Sequence, residues 1–173
     1  MTKTWADLNA PDAPFEVAAL AAALDDQRAA RGLSWAALAG ALRVSASTLK
    51  GLATRLWGVE GDGVLQMLIW LERTPESFVP GHPGAYLAEG KLPVVAPPGL
   101  LRFDVPGIHR RIDAERERQG LTWAEAAAAI GGPINAQTLK AMAGQTRTGF
   151  PQVMRYARWL KVPCAALTRA APW

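Results

Sequence analysis

Arg31-Gly-Leu-Ser-Trp-Ala-Ala-Leu-Ala-Gly-Ala-Leu-Arg-Val-Ser-Ala-Ser-Thr-Leu-Lys50 is the stretch whose reading decides the fold. Gly32 follows a helical pattern and is a low-cost stop, because glycine adopts positive φ freely. Ser34 is a good N-cap for the next helix. Trp35, Leu38, Ala39 and Leu42 then recur at the spacing of one helix face. Ser45 is a second N-cap, and Leu49, Leu52 and Ala53 continue as a shorter helix. Two short helices joined by a tight turn are the result.

The same stretch occurs again. A shift of 88 residues overlays Phe15 on Phe103, Asp25 on Asp113, Arg28 on Arg116, Gly32 on Gly120 and Trp35 on Trp123. A shift of 90 overlays Thr48-Leu-Lys50 on Thr138-Leu-Lys140, and a shift of 89 overlays Trp70-Leu71 on Trp159-Leu160. Alanines alone would match by chance in so Ala-rich a chain; paired tryptophans inside one local pattern would not. In the second copy Thr122-Trp-Ala-Glu125 is a capping box, and Asn135 replaces Ser45 as N-cap. Gly131-Gly132-Pro133-Ile134 makes its turn two residues longer.

Working outward, Val17, Leu20, Ala21 and Leu24 mark a first helix, matched by Val105, Ile108, His109 and Ile112. Val64, Met67, Leu68 and Leu71 mark a fourth, matched by Val153, Tyr156, Ala157 and Leu160. A short fifth helix is expected after Pro75 and Pro163. Neither copy has a useful alternating pattern of strand type. The fold class is all-α: two tandem bundles of four to five short helices, 1–79 and 103–173, joined by a Pro/Gly-rich linker, 80–102. In that linker Tyr86, Leu87, Leu92, Val94 and Val95 are apolar enough to pack on a bundle or pair as a short strand. Twenty extended residues reach at most about 66 Å.

The 173 residues are half hydrophobic and one-fifth charged, with a net charge of +4, too apolar for a disordered chain. No apolar run approaches the ~18 residues of a membrane span, and no secretory signal is read at the N-terminus. One cysteine, Cys164, forms neither an internal disulfide nor a thiolate cluster, and two histidines, His82 and His109, are few for a metal site. No phosphate-binding Gly-Lys loop, His-Glu-x-x-His or Cys-x-x-Cys is present. The expectation is a cytoplasmic, nucleoid-associated protein with no cofactor, no metal and no enzymatic activity.

Residues 31–50 resemble the phage-repressor-like (Cro/XRE) family of helix-turn-helix DNA-binding domains, in which glycine, a Ser/Thr cap, Leu-Ala and a second Ser recur in this order. Gln119-Gly-Leu-Thr-Trp-Ala-Glu-Ala-Ala-Ala-Ala-Ile130 resembles it too. The resemblance covers about 15–79 and 103–170, and departs from the family in having Arg43 where the turn usually holds glycine. It implies a bacterial or phage-type transcription regulator with lambda-repressor-like bundles that binds double-stranded DNA. It also implies a third helix lying in the major groove. Carried over by position, the base-facing candidates are Ala46, Ser47, Lys50 and Gly51, and Ala136, Gln137, Lys140 and Ala141. Lysine suits guanine O6 and N7, glutamine suits adenine, and alanine suits a thymine methyl. Phosphate candidates are Ser34 and Thr122 at helix starts, Thr54 and Arg55 after the first copy's third helix, and Gln145, Thr146, Arg147 and Thr148 after the second's.

Charge separates the copies. Residues 1–79 hold seven basic and nine acidic side chains, and residues 103–173 hold ten and five. The second copy is therefore expected to be the stronger nonspecific DNA binder. The rival reading is a protein-interaction module, antitoxin-like or an adaptor, in which one or both copies no longer bind DNA. A homodimer or protein partner would then use the first repeat or the linker. Trp35, Trp123, Trp70 and Trp159 are expected to face the core, His109 to be structural, and Cys164 to be a filler. Trp57 is expected to anchor a loop rather than contact DNA or a partner, and Trp5 and Trp173 to cap the cores or a dimer contact.

Overall fold

The structure is a computed structural model of the chain, described for residues 15–52, 60–79 and 89–172. Among the described residues it is mostly helical, with eight α-helices and one two-stranded sheet. In the first copy α1 is Val17–Ala30, α2 Trp35–Leu42, α3 Ala46–Gly51 and α4 Gly61–Leu71. In the second, α5 is Val105–Arg118, α6 Trp123–Ile130, α7 Ala136–Ala141 and α8 Phe150–Leu160. The fifth elements are single 3-10 turns, Pro75–Phe78 and Cys164–Leu167. Each helix of one copy has a counterpart of the same length, offset by the 88, 90 and 89 residues found above.

The expected boundaries have physical counterparts. Gly32 and Gly120 sit at φ 65 and 67° just past α1 and α5. Ser34 and Thr122 accept the N–H of Ala37 and Glu125, and Ser45 and Asn135 accept those of Thr48 and Thr138. Each such cap is worth about 1 kcal/mol. Leu20, Leu24, Leu38, Leu49, Val64 and Leu68 are buried, as are Ile108, Ile112, Ala126, Leu139, Val153 and Ala157 at the matching places.

One element departs from the all-helical expectation. Leu100–Phe103 form β1 and pair antiparallel with β2, Thr168–Ala171, in the register Leu100↔Ala171 to Phe103↔Thr168. Leu101 and Phe103 point inward and are buried, while Leu100 and Arg102 are partly exposed. β1 thus lies astride the expected boundary at 102/103. The segment before it is not a strand: Leu92 and Val95 pack against the core, and Val94 is 93% exposed. Tyr86, Leu87, Trp5, Trp57, Trp173 and His82 lie outside the described residues.

The two copies share one core. Glu60 and Gly149, equivalent positions, pair with each other as an antiparallel bridge, and the Gly61 N–H donates to the Thr148 carbonyl at 2.9 Å. Phe15 of the first copy packs on Phe150 of the second, ring centres 4.6 Å apart. Reciprocally, Phe103 lies on Gly61, the counterpart of Phe150, with Cδ2 2.7 Å from where a Cβ would sit. At the far ends of α4 and α8, the fully buried Glu76 accepts the Cys164 N–H at 2.7 Å. Like meets like at the helix starts, and the turns after the helices also meet. Contacts between equivalent positions are what a local two-fold relation between the repeats produces.

Candidate functional site

The α2–α3 pair is held by its turn and by a clasp behind it. Arg43 ends α2 at φ 55°, in the left-handed region where a side chain is strained. In the second copy Gly131 and Gly132 take φ 85 and 67°, and Ile134 is buried behind them. The clasp is the same in both. Arg28 Nη1 donates to the Leu33 carbonyl at 2.6 Å, pairs with Asp25 at 2.6 Å and covers the Trp35 ring at 4.6 Å. Arg116 does so with Leu121 at 2.9 Å, Asp113 at 2.5 Å and Trp123 at 4.8 Å. The repeated Asp, Arg, Leu and Trp are thus one device that fixes where α2 and α6 begin. Trp35 and Trp123 are half-buried under these guanidiniums rather than central to the core.

The third helices present the base-facing candidates unevenly. Ser47, Lys50, Gln137, Lys140 and Ala141 are exposed; Ala46, Gly51 and Ala136 are half-buried. Ser47 is within hydrogen-bonding distance of the Ser45 hydroxyl at 3.0 Å. Of the phosphate candidates, Ser34, Thr122, Gln145, Thr146 and Arg147 are exposed. The hydroxyl oxygens of Ser34 and Thr122 serve first as N-caps. The Thr122 N–H and O–H both donate to Glu125, which holds that carboxyl below its usual range. Thr148 is half-buried, and its carbonyl is used at the seam. Thr54 and Arg55 lie outside the described residues.

A basic cluster that the sequence reading did not single out lies between the copies. Arg43, Arg102 and Arg147 line a pocket of about 190 Å³ with Glu60, Asp62 and Gln66. Glu60 caps α4, accepting the N–H groups of Asp62 and Gly63. Asp62 accepts the Phe103 N–H at 3.0 Å and faces Arg102 at 3.8 Å. Burial pushes the Asp62 carboxyl up, against the pull of that N–H and of Arg102 and Arg147. Arg43 also donates to the Pro98 carbonyl at 3.5 Å. These groups meet only because the copies interlock, so no local spacing announces them.

Comparison of the chain with protein-family models, with curated proteins and with solved structures finds no match. The site is therefore read from its own geometry. Its remaining conspicuous groups are structural. His109 stacks on Trp123, centres 5.4 Å apart and planes 16° apart. Cys164 is buried, and desolvation with the nearby Glu76 holds its thiol well above the usual range, which suits neither a nucleophile nor a ligand. Tyr156 is buried and pushed up to about 12. Among the described residues no group of His, Cys, Asp and Glu could hold a metal, and no helix is long and apolar enough to cross a membrane.

Proposed function

We propose that the protein is a sequence-specific double-stranded DNA-binding regulator whose α2–α3 and α6–α7 pairs act as two helix-turn-helix units of the Cro/XRE kind. What supports this reading is the pairing itself. Two short capped helices carry an exposed lysine at the same position, Lys50 and Lys140, and a pseudo-two-fold seam relates them. Dimeric readers place two third helices on successive half-sites, about 34 Å apart, and this reading asks the same of α3 and α7. Because Ser47 and Gln137 differ between the copies, the site is asymmetric. Arg147, with Arg43 and Arg102 near the seam, adds phosphate affinity at its centre.

The test is selection of bound duplexes from a random pool with wild type, Lys50→Ala and Lys140→Ala. One enriched site is expected. Each lysine variant should relax one position within one half-site, by about 1–3 kcal/mol of discrimination. Weak, salt-sensitive binding without enrichment would sink this reading. The first copy's excess of acidic residues and its small Ala46 and Gly51 favour a second one, in which that copy contacts a protein while the second holds DNA. Relaxation in Lys140→Ala alone would select it.

A further inference from the structure

Among the differences between the two first helices, one changes what lies on the repeated tryptophan. His109 of α5 corresponds to Ala21 of α1, and the imidazole that stacks on Trp123 has no counterpart on Trp35. Where that ring would lie, the first copy has a groove of about 310 Å³ between α1, α2 and α3. Ala18, Ala21 and Ala22 form one wall, Trp35 another and Leu49 a third, with Asp25 and Lys50 at the rim. The groove is at the small end of the range of ligand sites. Asp25 is already paired with Arg28. Lys50 is exposed and forms no ion pair among the described residues. The open charge at the rim is therefore positive, and the open wall is an indole.

We propose that this groove binds a small aromatic carboxylate, its ring stacked on Trp35 and its acid group on the Lys50 ammonium. In the second copy a planar ring, that of His109, stacks on the equivalent indole, and the arginine clasp holds Trp35 and Trp123 alike. An offset-stacked ring in a groove walled by three alanines fits without displacing side chains. The carboxylate answers the Lys50 ammonium, which forms no ion pair among the described residues. The site stands on the groove alone and does not depend on DNA binding.

Salicylate and indole-3-acetate are the probes, titrated calorimetrically into the full chain, with indole-3-acetamide as the neutral control. One site per chain is expected, with the amide at least tenfold weaker than its acid. Lys50→Gln, an exposed change, should weaken the acids about fivefold and leave the amide unchanged. Ala21→His supplies the second copy's own ring and should abolish binding while the thermal midpoint stays within a few degrees. No heat with either acid at millimolar concentration would overturn the proposal. So would acids that bind Lys50→Gln as tightly as wild type, a variant that stands whether or not Ala21→His folds.

Discussion

The first copy turns from its second helix to its third on Arg43-Val44; the second uses Gly131-Gly132-Pro133-Ile134. Both need left-handed backbone at the bend. A side chain there costs roughly 1–2 kcal/mol, and glycine instead gives up backbone entropy when it is ordered. The second copy takes the unstrained route and buries Ile134 where the first packs the half-buried Val44. The first takes the strained one and gains a guanidinium beside Pro98 and the Asp62 pocket. Equivalent folds thus reach the bend by different means, and the strained residue Arg43 is one whose side chain reaches the seam.

The seam gives the largest expected effect. Phe150→Ala removes a fully buried ring that touches both Phe15 and Phe103, and should cost about 3–5 kcal/mol in urea unfolding. Hydrogen exchange should then show α1–α3 losing protection together with α5–α7. Loss confined to the second copy would break the picture of a shared core.

The turns come next, with opposite signs. Gly131→Ala, at φ 85° and ψ −174°, should lower stability by about 1–3 kcal/mol. Arg43→Gly should raise it by about 0.5–1 kcal/mol in the same thermal assay. Equal signs would mean that the two bends are not doing the same job.

Caps sharpen the comparison further. Thr122→Ala breaks a reciprocal capping box and should cost about 1 kcal/mol; Ser34→Ala breaks a single bond and should cost less. The smallest effect is at Glu115, whose first-copy counterpart is Gln27. Hydrogen bonds from Arg118 and Gln119 hold the Glu115 carboxyl down from 4.5 to about 2. A carboxyl lowered in the fold stabilises above its unfolded value and loses that contribution as pH falls through its folded one. Glu115→Gln should therefore cost at most about 0.5 kcal/mol at neutral pH, since the pair is exposed. The gap from wild type should close between pH 4.5 and 2 in parallel denaturation curves.

Helices, caps and the repeat were legible because each is written within a few residues: a cap, an apolar period, a glycine stop. Even the clasp was visible as matched Asp25, Arg28 and Trp35, although its geometry was not. The sheet was not legible, because β1 and β2 lie more than sixty residues apart and four residues of alternation carry little signal. The seam was hidden for the same reason. Gly61 reads as an ordinary helix start, and only the Phe103 ring against it shows why no side chain belongs there. Asp62, Arg43 and Arg102 become neighbours solely through that contact.

The bridge between Glu60 and Gly149 has a consequence for abundance. Two-fold readers assembled from separate chains dissociate on dilution, so their occupancy of a paired site falls faster than their concentration. If the two pairs read DNA as proposed, the partner is tethered here at an effective concentration that dilution does not touch. Scarce copies of this chain would act one by one, and a graded change in their number would produce a graded response without a threshold.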